Sequence, residues 1–496
     1  IFLTPPNLCR SVMSLCRVLC AVLVALLACF LGFLSLLVDL RMVNPPEHHK
    51  VKIGTSESYA IVPAAEQPVL LLMTEAVNAA MVTHALLVAD AAKDFFQVHL
   101  ASFGGAYENL LENSGFTYHL LMPKWTEEQT AAIYAVDQFE SFSNPYTMEV
   151  LREQIDSSLE LYRKIKPSAI CAFFVLSASI SARIVRLPLF VDMSMTRSYS
   201  TDPESIAASM AASNGLVATL GLRKPLSLVA SWFLKRLTFI TRTFEDVAAE
   251  WNITGIHLVW DLMEGDYTVI SDIPTWAGVD VATLPPQVTY VGPLYGKLKQ
   301  DVPEQVWHFR NLAKADGQPL VWFAMGSSGQ PPLVLAVLQE LLKQQPNWYI
   351  VAPVHALLQK LKINASDDMA RADAGLSSDR LYIPPALVPS QKVEPLCDLA
   401  LTHGGQGTVH TSMCSGVPFV GVGMMPEQDL NIRLAVKQGM ALQAMKSDSP
   451  SYIAGLMQRL AEMPKVREQA AKMKEKCQEF TGEHAFVELI RGKLRG

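Results

Sequence analysis

The sequence predicts two α/β domains in tandem, each a parallel sheet covered by helices on both faces, behind an apolar N-terminal span. Three observations carry this reading. Apolar runs of five to seven residues alternate with helical stretches, the pattern of strands buried on both faces. One strand-entry pattern, Pro68-Val69-Leu70-Leu71-Leu72-Met73-Thr74, returns as Pro319-Leu320-Val321-Trp322-Phe323-Ala324-Met325. The chain of 496 residues, 50% hydrophobic and 18% charged, is long and apolar enough for two full cores.

The elements follow in order. Val18 to Val38 carries no charge over 21 residues, between Arg17 and Asp39. About 20 apolar residues cross a bilayer as a helix, so residues 1–44 read as an extension with a transmembrane anchor. No small-residue cleavage site follows it, which favours an uncleaved anchor over a signal peptide. Residues 45–66 are polar and Pro-punctuated, a stalk. A first domain over 67–295 starts with the strand at 68–74 and a helix at 76–94. Further strands are expected at 98–103, 169–175, 187–191 and 288–291, with helices of mixed character over 196–237. A polar linker, 296–318, leads to a second domain over 319–464. Its strands are expected at 319–325, 348–351, 400–402 and 419–422, and Pro331-Pro332 opens a helix. Residues 465–496 read as one charged amphipathic helix.

Composition removes several function classes. The 41 Lys and Arg against 47 Asp and Glu, net charge −6 and the lack of a basic run argue against a nucleic-acid binder held mainly by phosphate contacts. Cys9, Cys16, Cys20 and Cys29 lie in or before the apolar span. Cys171, Cys397, Cys414 and Cys477 are far apart and form no Cys-x-x-Cys pair. That spacing offers neither a zinc site nor a disulfide framework, and it reads as buried free thiols. Asn252 and Asn364 head N-x-S/T sequons, which matter only if the chain enters a secretory lumen.

The chemistry concentrates around His403. A short strand ends at Thr402-His403, then Gly404-Gly405-Gln406-Gly407-Thr408 opens a helix. Glycines let an anion approach the backbone, and a helix N-terminus offers unpaired N–H groups and a positive dipole end. Next comes the strand after Gly416-Val417-Pro418, followed by Pro426-Glu427-Gln428-Asp429-Leu430-Asn431. Ligands of open parallel sheets bind beyond the carboxyl ends of strands. A loop with Glu, Gln, Asp and Asn at that edge suits a polyhydroxylated ligand such as a sugar. After the first strand, Thr74-Glu75-Ala76-Val77-Asn78-Ala79 is not a G-x-G-x-x-G turn, which disfavours a dinucleotide oxidoreductase.

In order and spacing, these residues resemble the signature of the UDP-glycosyltransferases, family 1 glycosyltransferases with the GT-B fold of two Rossmann-like domains facing a cleft. Val291-Gly292-Pro293-Leu294 and Ala324-Met325-Gly326-Ser327-Ser328 resemble two further family elements. The resemblance implies that His403 and the backbone of Gly404, Gly405, Gly407 and Thr408 hold the donor diphosphate. Gly326 and Ser327 line the same pocket, Val388 meets the uracil, and Glu427 and Gln428 bind the donor sugar. It implies an inverting transfer with no metal and no resident cofactor, the UDP-sugar being a substrate.

Three positions depart from the family pattern. Leu387 stands where many members stack an aromatic on the uracil, and Thr411 where many hold the ribose with Glu. The family's catalytic His position aligns with Met81. The nearest His is His84, one helical turn further on, and it is the candidate base. The strand at 169–175 ends without the orienting carboxylate, which leaves Asp192 as the substitute and Glu75 as another candidate base. The expected protein is a membrane-anchored hexosyltransferase of a secretory membrane, such as the endoplasmic reticulum. It takes UDP-sugar as donor and an apolar small molecule or lipid as acceptor. The alternative is a non-catalytic sugar-nucleotide-binding subunit.

Overall fold

The computed structural model describes residues 52–53, 67–137, 143–193, 238, 240–296, 300–325, 329–386 and 388–495. The predicted span Val18–Val38, most of the stalk, the helices expected over 196–237, and Gly326, Ser327 and Leu387 lie outside the described residues. Among the described residues no helix is long and apolar enough to cross a membrane.

Two parallel sheets dominate. The first contains β2 (Val69–Thr74), β3 (Gln97–Ser102), β4 (Thr117–Leu120), β5 (Ala169–Phe173), β6 (Leu189–Met193), β8 (Tyr267–Ile270) and β9 (Val288–Tyr290). Its order is β4-β3-β2-β5-β6-β8-β9. The second contains β10 (Leu320–Ala324), β11 (Tyr349–Val351), β12 (Leu381–Tyr382), β13 (Leu399–Thr402), β14 (Phe419–Gly423) and β15 (Ala441–Met445), in the order β12-β11-β10-β13-β14-β15. A separate short ladder pairs β1 (Lys52–Ile53) with β7 (Ile253–Thr254). Each large sheet starts in its middle, winds outward one way and then reverses. The reversal lies between β2 and β5 in the first sheet and between β10 and β13 in the second. These are the points where the carboxyl ends of strands open a crevice.

The uniform apolar runs are explained by cores on both faces. In β2, Leu71 and Met73 join one cluster while Leu70 and Leu72 join another, the two-residue alternation of a strand covered twice. The second sheet repeats this with Val321 and Phe323 on one face and Leu320 and Trp322 on the other. Four strands of these sheets were not expected: β4, β12 and β15, which sit at sheet edges, and the short interior strand β8. The strand expected at 187–191 runs instead over Leu189–Met193, which brings Asp192 inside it.

The helices that cover these sheets include α1 (Ala79–Ala92), α2 (Met148–Ile165), α3 (Pro331–Gln344), α4 (Gln406–Ser415), α5 (Pro426–Lys437), α6 (Pro464–Cys477) and α7 (Glu483–Arg495). Asn78 starts α1 by accepting a hydrogen bond from the Ala80 N–H. The polar stretch expected as a linker contains a helix, Glu304–Asp316, whose Val306, Phe309 and Ala313 pack into the second sheet's core. The tail is two helices, not one. The chain breaks at Gly482, whose φ of +47° interrupts helical geometry. Beyond the break α7 packs on α1, so the end of the chain returns to the first sheet.

Candidate active site

The second sheet's crevice holds the glycine loop. β13 ends at Thr402, and α4 starts after Gly405. Gly404 has φ +82°, a left-handed conformation, and a Cβ there would meet the Ile432 side chain at 2.5 Å and the Gln428 carbonyl at 2.8 Å. A Cβ on Gly405 would stand 2.5 Å from His403 Nε2, so the imidazole lies directly over that residue. Asn431 on α5 donates from Nδ2 to the Gly404 carbonyl at 3.1 Å and pins the turn. A Cβ on Gly407, in the first turn of α4, would meet nothing within 4 Å. The Thr408 and Val409 N–H groups turn back to the Gly405 carbonyl at 3.0 and 2.9 Å, so the Thr408 amide expected to hold the diphosphate is engaged, and the N–H groups of Gln406 and Gly407 are the ones that open at this uncrowded face.

His403 bridges the crevice: its Nδ1–H donates to the Ala324 carbonyl, at the end of β10, at 3.4 Å. Enclosure of the ring by protein pushes its pKa down to about 4, against the pull of that carbonyl, so the imidazole is neutral. Val388 is buried in the core between the sheet and the helix side. Thr408 and Glu427 are half-buried, in the first turns of α4 and α5. Gln428 is buried and accepts at Oε1 from the Met424 N–H at 2.9 Å. Thr411 donates its hydroxyl to the Gly407 carbonyl at 2.7 Å, within its own helix. Its proton is therefore spent before any ribose could use it.

The first sheet's crevice holds a second group. Asp192 lies in β6 with the parity of Phe190, which faces α1. In register, Thr74, Phe173 and Asp192 form one row across β2, β5 and β6. His84 on α1 meets that row, its Nδ1 2.8 Å from Asp192 Oδ2, with both side chains at most 3% exposed. An ionised carboxylate only accepts, so the proton of this bond sits on Nδ1. His84 Nε2 is buried without a hydrogen-bond partner. The other carboxylate oxygen, Oδ1, accepts from Ser271 Oγ, just beyond β8. Met81, at the family's base position, is half-buried against the core. Glu75 is buried, and burial raises its pKa to about 8, so it is protonated at neutral pH and unsuited to act as a base.

The two crevices touch. Gln406 Nε2 on α4 donates to the Ser271 carbonyl at 3.4 Å. One turn further along the same face, His410 donates from Nδ1 to the Leu294 carbonyl at 3.2 Å and from Nε2 to Asp272 Oδ2 at 3.3 Å. Burial of His410 opposes its charge, but Asp272 outweighs burial and its pKa is raised. Sequence reasoning named neither Ser271 nor Asp272. Their only signal was polarity at the end of an apolar strand. Among the described residues no group of three His, Cys, Asp or Glu is arranged to hold a metal.

No protein-family model matches the chain. Curated relatives include a PGL/p-HBAD biosynthesis glycosyltransferase of Mycobacterium tuberculosis, 23% identical over 405 residues, covering 78% of this chain and 83% of that protein. A PGL/p-HBAD biosynthesis rhamnosyltransferase of Mycobacterium bovis is 22% identical over 455 residues, covering 87% and 90%. Solved structures that superpose include the glycotransferase of kitacinnamycin, with TM-score 0.60, 15% identity, and coverage of 87% of this chain and 100% of that one. The calicheamicin glycosyltransferase CalG4 gives TM-score 0.59 at 15% identity, with 87% and 99% covered. The fold is GT-B, and the relatives are glycosyltransferases. The glycosyltransferase VinC, solved with dTDP, also superposes, with TM-score 0.57, 16% identity, and 86% and 100% covered. The resemblance read from the sequence therefore stands at the level of glycosyltransferases of this fold.

Proposed function

We propose that the chain is an inverting glycosyltransferase that moves a hexose from UDP to a hydroxyl of an apolar small molecule or lipid. The observation that carries this is the His84–Asp192 pair, with Nε2 unpartnered and its carboxylate linked through Ser271 to the donor helix. The acceptor oxygen attacks the anomeric carbon as Nε2 takes its proton, and Asp192 stabilises the imidazolium that forms. The bond from that carbon to the diphosphate oxygen breaks on the opposite side, which inverts the centre. The leaving charge falls on the N-terminus of α4, a preorganised donor, and on His403, which takes up a proton to meet it. Glu427 and Gln428, at the start of α5, line the sugar side. No metal and no resident cofactor enter this proposal.

Both family pair members are displaced in this chain. The base stands one helical turn late, and its carboxylate comes from β6 in place of β5. Because both moved, they still meet, and that supports an enzyme over a binding subunit. The uncharged sequence of the Val18–Val38 span supports a membrane-held acceptor and, in this reading, a protein of a secretory membrane.

The test is transfer with UDP-hexoses and a panel of apolar hydroxyl acceptors, read as UDP release. His84→Ala and Asp192→Asn should each lose transfer by about 10²–10⁴. Calorimetry should show UDP affinity unchanged in both. Wild-type rates in the variants would overturn the assignment of the base. Donor binding with no transfer from any acceptor would support the binding-subunit reading.

A further inference from the structure

We infer that Ser271 is a positioning residue for the base, and that through it the donor-binding helix α4 orders the His84–Asp192 pair. The inference rests on the glycosyltransferase reading above.

Both oxygens of Asp192 are committed: Oδ2 to His84 Nδ1 at 2.8 Å, and Oδ1 to the Ser271 hydroxyl. His84 and Ser271 are each 1% exposed and Asp192 5%, so water does not substitute for either partner. A carboxylate held at one oxygen swings about its last bond. Held at both, it presents a fixed lone pair to the imidazole, and the ring keeps the orientation in which Nε2 reaches a substrate. Ser271 owes its own place to two sources. β8 registers beside β6, pairing Asp192 with Val269, and Ser271, two residues beyond Val269, leaves the strand on the same face, from which its hydroxyl reaches back to Asp192 Oδ1. From the other sheet, Gln406 and His410 stand four residues apart on one face of α4 and grip residues 271 and 272 in turn. The Ser271–Asp272 step is thus fastened to the helix whose N-terminus receives the diphosphate. The base is ordered where the donor domain docks.

The test compares full-length Ser271→Ala and Ser271→Thr with the parent. Ser271→Ala should lower kcat about tenfold, the scale of one hydrogen bond to a charged group. The KM for UDP-sugar and the UDP affinity should not change. Ser271→Thr, which keeps the hydroxyl, should restore most of kcat. In an Asp192→Asn background, Ser271→Ala should cost nothing further, because the partner it positions is gone. A loss of equal size in both backgrounds, or an unchanged kcat in Ser271→Ala, would overturn the inference. A second readout needs no transfer. The His84 Nδ1–H proton should give a downfield NMR resonance in the parent and in Ser271→Thr, and exchange-broaden in Ser271→Ala. The same resonance in all three proteins would sink the positioning role. If that signature behaves as expected but the parent transfers no sugar, the functional reading fails and the positioning stands.

Discussion

His403 shows what one side chain does to a binding site. With a pKa near 4 it enters the site neutral, and its proton sits on Nδ1, directed at the Ala324 carbonyl. Nε2, over Gly405, then has no hydrogen to give a phosphate. A diphosphate arriving there favours the imidazolium, so binding raises the His403 pKa and takes up a proton. The sign follows from linkage: the stabilisation is complete below the free-site pKa and is lost as pH rises through the pKa of the complex. UDP affinity should therefore increase from pH 8.5 to 5.5, and His403→Ala should remove the increase. Subtracting the mutant from the parent cancels the titration of UDP itself. At the acid end the difference should be about 1.5–3 kcal/mol, the scale of a charge-assisted hydrogen bond. Calorimetry at several pH values measures it, and equal affinities throughout would refute the phosphate role. The local pattern announced His403, because a strand ending in His and three glycines is a sequence signal. Ser271 had no such announcement, and Asp192 was named only as a substitute once the family resemblance asked for a carboxylate. Asp192 and His84 are 108 residues apart, and only the sheet register brings them together.

At the scale of elements, α4 separates two uses of glycine. Gly404 is required by the fold, since its φ of +82° disfavours any side chain and a Cβ would press on Ile432 and the Gln428 carbonyl. Gly407 is helical with open space around it, so the fold alone does not require it. Gly404→Ala should then lower stability by about 1–3 kcal/mol and abolish UDP binding together. Gly407→Ala should leave the melting temperature unchanged or slightly raised, Ala being the better helix former, while weakening UDP at least tenfold. Thermal melts with and without UDP distinguish them. A Gly407→Ala protein that binds UDP as the parent does would show that the ligand does not approach this face. Strands with apolar runs were legible because both their faces are buried. Thr117–Leu120 and Ala441–Met445 were not, because they are edge strands: no residue of the first is fully buried, and only Ala441 and Ala444 of the second are. Tyr267–Ile270 is interior but only four residues long, with a Thr within it, too short for its periodicity to stand out.

Over the whole molecule, the two sheets repeat one winding order, which the repeated strand entry at Pro68 and Pro319 had suggested. The path of the tail was not readable, since an amphipathic pattern shows that a helix has a buried face but not what it is buried against. The structure supplies the partner. Where the first domain ends, a Cβ on Gly292 would strike Phe480 at 2.4 Å, so the outgoing and returning chain cross in close contact. Past Gly482, α7 inserts Phe486, Val487 and Ile490 into the core containing Val82, Ala85 and Val88 of α1. Phe486 also lies against Phe173, with ring centroids 6.1 Å apart, and Phe173 stands between Thr74 and Asp192 in the sheet row. The last helix therefore completes the core under the base it is furthest from in sequence. Phe486→Ala should cost about 3–5 kcal/mol, as for a fully buried aromatic, and the loss should fall on the first domain. Urea unfolding of the variant should show that domain melting before the second, with added UDP protecting the second only. Transfer should fall steeply with urea in the variant while UDP binding persists. A variant that unfolds at the parent's midpoint, or loses UDP binding first, would mean that α7 is an appendage and not part of the core beneath His84.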